Sequence, residues 1–153
     1  MNVNRLGAPV LSLFRIVVGL LFLFHGMSAL FGLFGGSRGT GHALALGTWP
    51  GWWAALIQLV CGGLVLVGLL TRVSATLASG SMAYAYFTVH LPHGLVPLQN
   101  GGEPAAMFAW AFLLIAVLGP GAWALDNLVQ HSHDTVTVRP AEPQPRTGPP
   151  ARA

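Results

Sequence analysis

Charge is what this sequence has least of. Seven basic and four acidic residues make up 7% of the 153 positions while 54% are hydrophobic, against roughly 25% charged in a soluble domain. Eleven charges cannot build a solvated surface, so a soluble globular domain is excluded. Lysine is absent, and the seven arginines stand singly, which excludes the basic patch that nucleic-acid binding requires. Cysteine is nearly absent too. The lone Cys61 can form neither an internal disulfide nor a C-x-x-C pair, which sets aside thiol exchange and leaves it as a small packing residue.

What is present is apolar length. Residues 16–37, 39–71, 73–102 and 104–125 contain no Asp, Glu, Lys or Arg, and each window can hold a helix of about 20 residues, enough to cross a bilayer. The pattern predicts an all-α fold: a four-transmembrane-helix bundle over residues 1–126, with helices near 9–34, 50–70, 73–90 and 103–125. Pro9 suits a first helical turn, and Gly35-Gly36-Ser37 breaks helix 1. Trp49, Trp52 and Trp53 mark the interface where helix 2 begins. Thr71-Arg72 is a tight turn, Pro92 stops helix 3, and Gly119-Pro120-Gly121 interrupts helix 4. The first apolar stretch is too long for a signal peptide and carries Arg15 and His25 within it, so it is read as a retained helix. Five of the eleven prolines fall in the last fourteen residues, and residues 127–153 are predicted to be a disordered tail. Arg5, Arg72, Arg139, Arg146 and Arg152 lie on one side of such a bundle, and Arg38 alone lies opposite, so both termini are expected in the cytoplasm.

Positions three, four and seven apart share a helix face. That rule groups His25 with Gly32 and Gly36, flanks Gln58 with Ala54, Ala55, Cys61 and Gly62, and aligns Ala75, Ser79, Ala83, Tyr86 and His90. His25 lies nine positions from Phe34 and Gln58 eight from Pro50, so both sit about 12–14 Å from the outer ends of their helices. With Glu103 at the rim, His25, Gln58, Tyr86 and His90 form a candidate polar cluster in the outer half of the bundle. Intramembrane polar groups pair with one another or line cavities. Two readings are open for this cluster: hydrogen bonding across the bundle, or a pocket that takes a quinone head or handles protons.

At the other end, Arg15 and Asp126 are expected at one depth as a structural ion pair joining the first helix to the last, with Arg72 in the adjoining turn sharing the network. No metal site is expected. Pro92 distorts the His90-x-x-His93 spacing and no further ligand completes it, while His131-x-His133-Asp134 lies in the tail. Haem would need two histidines opposed at one depth.

Several motifs resemble one family. Leu13-Phe14-Arg15-Ile16-Val17-Val18-Gly19 followed by Phe24-His25-Gly26 is similar to the first-helix signature of DoxX-type membrane proteins. Gly62-Gly63-Leu64 with Gly68-Leu69-Leu70-Thr71-Arg72 resembles their helix 2 ending. Asn100-Gly101-Gly102-Glu103 and Gly119-Pro120-Gly121 with Asp126 resemble the two ends of their helix 4, so the likeness covers about residues 10–126. It implies a DoxX/DoxD-like four-helix protein of a bacterial plasma membrane, surrounded by lipid. It further implies a subunit of a quinone-linked or oxidative-stress redox complex that docks redox-enzyme partners, with no catalytic residue assigned and quinone as the only cofactor suggested. By position, Arg15, His25, Arg72, Glu103 and Asp126 correspond to the family's polar signature. Gln58 departs from it, since relatives commonly carry a carboxylate there. An amide cannot transfer a proton but can still donate to a quinone carbonyl. The alternative is a non-catalytic membrane scaffold or small-solute carrier, and a carrier is disfavoured because the helix centres offer only His25 and Gln58.

Overall fold

The computed structural model describes residues 3–129. The expected tail at residues 127–153, with His131, His133, Asp134, Arg139, Arg146 and Arg152, therefore lies outside the described residues, apart from residues 127–129. The described chain is all-helical, without a strand: α1 (Val3–Phe31), α2 (Gly51–Val67), α3 (Thr71–Ala85), the single turn α4 (Pro97–Asn100) and α5 (Glu103–Leu118). A final helical turn occupies residues 125–129. α1 packs most extensively on α2 and α3 on α5, with α2 against α3 closing the bundle.

The helix bounds differ from those expected, each for a local reason. α1 begins at Val3, so Pro9 lies in its second turn; proline removes one donor there without stopping the turn before it. The helix ends at Phe31 because Gly32 takes a left-handed conformation (φ 69°), and two short 3₁₀ turns follow. α2 ends at Val67 instead of Leu70. Gly68 (φ 75°) lets its own N–H reach the Leu64 and Val65 carbonyls while Leu69 N–H bonds to Leu64 at 3.0 Å, the Schellman arrangement that satisfies the last carbonyls of a helix. α3 starts at Thr71 and runs into a π-helical turn, Tyr86–His90, before Pro92 enters a 3₁₀ turn. α5 stops at Leu118, and Gly119-Pro120-Gly121 ends it outright.

The interior is small and aromatic. Val18, Phe22, Cys61, Val65, Ala75, Ala78, Met82, Phe112 and Ile115 form its apolar core, with Phe22 and Phe112 at a ring separation of 4.5 Å. Between α1 and α2 the backbones themselves touch. A methyl on Gly19 would stand 2.7 Å from Leu66 N, one on Gly62 2.7 Å from Leu23 N and one on Gly26 2.5 Å from Leu59 N. Small residues at such crossings are what helix association in lipid exploits. The polarity of the bundle is inverted: Ser12, Arg15, Thr71 and Ser74 are buried while Val17, Leu21, Val60, Met107, Trp110 and Leu114 are exposed.

Candidate functional site

Two groups of polar residues stand out, one at each end of the bundle. The first is built on Arg15, which is completely buried in α1. Its guanidinium donates through Nη1 to the carbonyls of Val65 and Leu66 (2.7 Å for Leu66), through Nε to Pro120 (2.8 Å) and through Nη2 to Trp123. It thus caps the end of α2 and pins the Gly119-Pro120-Gly121 loop in one contact set. Asp126 works on the next turn of chain. Its carboxylate accepts from Leu70 N–H (2.7 Å) and Thr71 N–H (2.9 Å), and its own N–H donates to Gly68. α3 opens on Leu70, whose side chain cannot cap a helix, so the carboxylate supplies the missing N-cap from far along the chain. Arg72 completes the set by donating Nη1 to Ala116 and Val117 at 2.8 and 2.9 Å, the exposed carbonyls at the end of α5.

Arg15, Arg72 and Asp126 therefore gather at one end, as expected, but among the described residues they form no ion pair. Each charge is spent on backbone groups at a helix terminus, where dipoles of the opposite sign face it. Burial by itself would raise the Asp126 carboxyl. The Thr71 hydroxyl dipole, the Thr71 and Leu70 N–H groups and the positive Arg15 outweigh it and hold the carboxyl below the usual carboxylate range. The Thr71 hydroxyl is buried without a partner of hydrogen-bond geometry, so it acts on the carboxylate through its dipole alone. Ser12 adds a neutral link, donating to Ala8 and accepting from Trp123 N–H, both at 3.0 Å.

The second group lies at the opposite end, where the five expected residues divide. Tyr86 and His90 fall together on the π turn. His90 Nδ1 donates to the Asn100 carbonyl at 3.2 Å, and Tyr86 Oη donates to Leu95 at 3.4 Å. Asn100 folds the loop beneath them, donating to Gly94 and accepting from Gly102 N–H, each at 2.7 Å. Tyr86 then lines a groove of about 390 Å³ between α3 and α5, together with Ser79, Ala83, Phe87, Ala109 and Trp110. Ser79 crosses its floor to the Ala109 carbonyl at 2.8 Å.

His25, Gln58 and Glu103 do not join this groove. His25 is exposed and sets its ring edge-on to Phe108 at 5.5 Å. Phe108 lies roughly 100–160° around α5 from Ala106, Ala109 and Leu113, at about 100° per residue. His25 and Tyr86 therefore meet opposite sides of that helix. The Gly26–Leu59 approach does set His25 and Gln58 at one level beside the α1–α2 seam, yet neither has a hydrogen-bond partner among the described residues. Glu103 is exposed at the first turn of α5. His93 donates to Val89 at 2.9 Å, away from the His90 partner. Phe87, Pro97, Ala106, Ala109, Trp110 and Leu113 are the groove residues that the sequence motifs do not single out, whereas Ser79 and Ala83 lie on the α3 stripe that includes Tyr86.

The DoxX family model matches residues 10–91. The chain is similar to an uncharacterized protein of Haemophilus influenzae, 34% identical over 133 residues that cover 82% of this chain and 95% of that one. It is similar to an uncharacterized membrane protein of Mycobacterium tuberculosis, 31% identical over 135 residues that cover 79% and 82% of the two chains. A Bacillus subtilis protein named "Putative oxidoreductase CatD" is 29% identical over 117 residues, covering 76% and 84%. No solved structure matches.

Proposed function

The chain belongs to the DoxX family, and on that premise we propose that it is a four-pass subunit of a membrane redox assembly that takes a quinone head in the groove between α3 and α5. The observation that carries this reading is the groove's construction. Phe87, Trp110, Ala83 and Ala109 offer apolar and aromatic walls to a flat ring, and Tyr86 offers one hydroxyl to a ring carbonyl. Sites for such ligands are mostly apolar with few polar groups fixing orientation. The Tyr86 hydroxyl bond to Leu95 is long, so little is lost when the hydroxyl turns to a ligand. π turns recur at functional sites because they shift a side chain off the regular helical phase.

Four crossings rest on the inverted polarity of the bundle. α1 provides one helix, Leu6–Phe31, that is long and apolar enough by itself; Gly51–Val67 and Glu103–Leu118 are apolar but shorter. α3 and its π turn add a third segment of comparable length. The placement of both termini in the cytoplasm is favoured by Arg15 and Arg72 at one end of the helices against Arg38 alone in the opposite loop. The Bacillus subtilis relative's name favours a redox setting. A second reading, a scaffold without a ligand, is favoured by the way Arg15 and Asp126 are engaged with backbone groups.

The test is to purify the full chain from native membranes in mild detergent and quantify co-extracted quinone. Wild type should retain it, Tyr86→Phe should lose most of it at unchanged unfolding temperature, and Ala109→Phe should lose it as well. Equal retention by all three would reject the groove. Retention that falls instead in His25→Ala and Gln58→Ala would return the site to the α1–α2 seam.

A further inference from the structure

Arg72 does more than end α5. Its Nη1 is committed to the Ala116 and Val117 carbonyls, and a methyl on Gly119 would stand 3.0 Å from Nη2, so the guanidinium rests close to that glycine. The side chain is exposed yet pinned, with Nε and Nη2 free of any hydrogen-bond partner among the described residues. No acidic group answers its charge there. The two described carboxylates are Asp126, engaged with Leu70 and Thr71, and Glu103, at the far end of α5. Beside Arg72, along the same face of α3, runs a shallow groove of about 300 Å³ lined by Val73, Thr76 and Leu77. Val73 and Leu77 are 60% and 57% exposed.

We propose that Arg72 and the Val73–Leu77 face of α3 form a docking site for an anionic phospholipid. The phosphate meets the free edge of the guanidinium, whose fork matches phosphate geometry, and an acyl chain lies over Val73 and Leu77. Charge complementarity names the occupant: a fixed cation without a protein counterion, at the end of a helix whose next exposed residues are apolar, fits a molecule that is anionic at its head and apolar below. The inference rests on the membrane-spanning reading but not on the quinone groove.

The experiment places the full chain in nanodiscs of phosphatidylcholine with a minor share of phosphatidylglycerol and measures lipid retained after gentle delipidation by native mass spectrometry. Phosphatidylglycerol should be enriched over phosphatidylcholine about fivefold, the scale set by one basic residue at an anionic surface. Arg72→Gln should abolish the enrichment and Arg72→Lys should keep part of it. Because Arg72 also caps α5, Leu77→Asp provides a second variant with the cap intact, and it too should lose the enrichment. Soluble glycerol phosphate should fail to compete; full competition would assign the site to a free phosphate and overturn the lipid reading. Equal retention of both lipids by wild type would overturn it as well. Failure of the chain to insert into either nanodisc would instead reject the membrane-spanning reading.

Discussion

Arg15 takes the carbonyls that end α2 and Asp126 takes the N–H groups that begin α3, so two opposite charges serve the two sides of one turn without touching. The turn needs both. It includes Leu70 at φ 49°, a left-handed conformation that costs a non-glycine residue roughly 1–2 kcal/mol, and the flanking hydrogen bonds hold it there.

Removing the buried cation should therefore be severe. Arg15→Met strips the donors from the Val65, Leu66, Pro120 and Trp123 carbonyls, at a cost on the order of 1–3 kcal/mol for each buried group left unsatisfied. Arg15→Lys keeps the charge with three donors in place of a planar fork and should recover part of the loss. Thermal unfolding in detergent should rank wild type above Lys above Met. A Met variant as stable as wild type would deny Arg15 its clasping role.

Asp126 gives the clasp a pH dependence of definite sign. Its carboxyl is held below the ordinary range in the folded chain, whereas in the unfolded chain it titrates near 3.9. Folding is thus favoured by the charged form: the contribution is fully present above about pH 4 and is lost as pH falls through the depressed folded value. Asp126→Asn, with one acceptor oxygen where two N–H groups wait, should be less stable at neutral pH and should lack this acid-dependent component. Parallel unfolding curves for the two proteins down the acid range would count against it.

The α1–α2 seam predicts a contrast among glycines. Gly26→Ala forces a methyl to 2.5 Å from Leu59 N, a backbone atom that cannot step aside, and should cost about 1–3 kcal/mol by overpacking. Gly80→Ala meets nothing within 4 Å and should be neutral or stabilise by roughly 0.5–1 kcal/mol through helix propensity. Equal effects of the two substitutions, read as shifts in unfolding temperature, would show that the close approach is not maintained.

How much of this was legible beforehand turns on helical phase. The charge-free windows and the Gly/Pro punctuation located each helix, because both features act locally, but missed the start of α1 by six residues and the end of α5 by seven. The inward face of α1 lies one position, about 100° of rotation, from the face that groups His25 with Gly32 and Gly36, because Gly32 already lies outside the helix. A buried arginine must face the bundle, and counting from Arg15 through Gly19 and Phe22 to Gly26 traces the true face. Gathering Arg15, Arg72 and Asp126 at one end was readable from topology. Their engagement with backbone was not, since helix-terminal carbonyls and N–H groups carry no residue signature. The groove was half legible: the 75, 79, 83, 86 stripe points to its α3 wall, but the α5 residues that face it share no motif.

The Asn100-Gly101-Gly102-Glu103 motif offers the sharpest test of the groove. Gly102 has an unstrained backbone (φ −89°), so its requirement for glycine is steric. A methyl there would stand 2.7 Å from Asn100 Oδ1 and 2.8 Å from both His90 Cβ and Tyr86 Cδ2. Gly102→Ala must therefore push the tyrosine ring off the π turn and reshape the groove that it lines. Gly101 is the internal control: its φ of 68° makes Gly101→Ala costly in backbone strain, by roughly 1–2 kcal/mol, yet nothing lies within 4 Å of the added methyl. If the groove holds quinone, Gly102→Ala should lower quinone retention several-fold with only a modest fall in unfolding temperature, whereas Gly101→Ala should lose stability and keep its quinone. Matching retention in the two variants would separate the Asn-Gly-Gly-Glu turn from ligand binding and leave it a purely structural link between the π turn and α5.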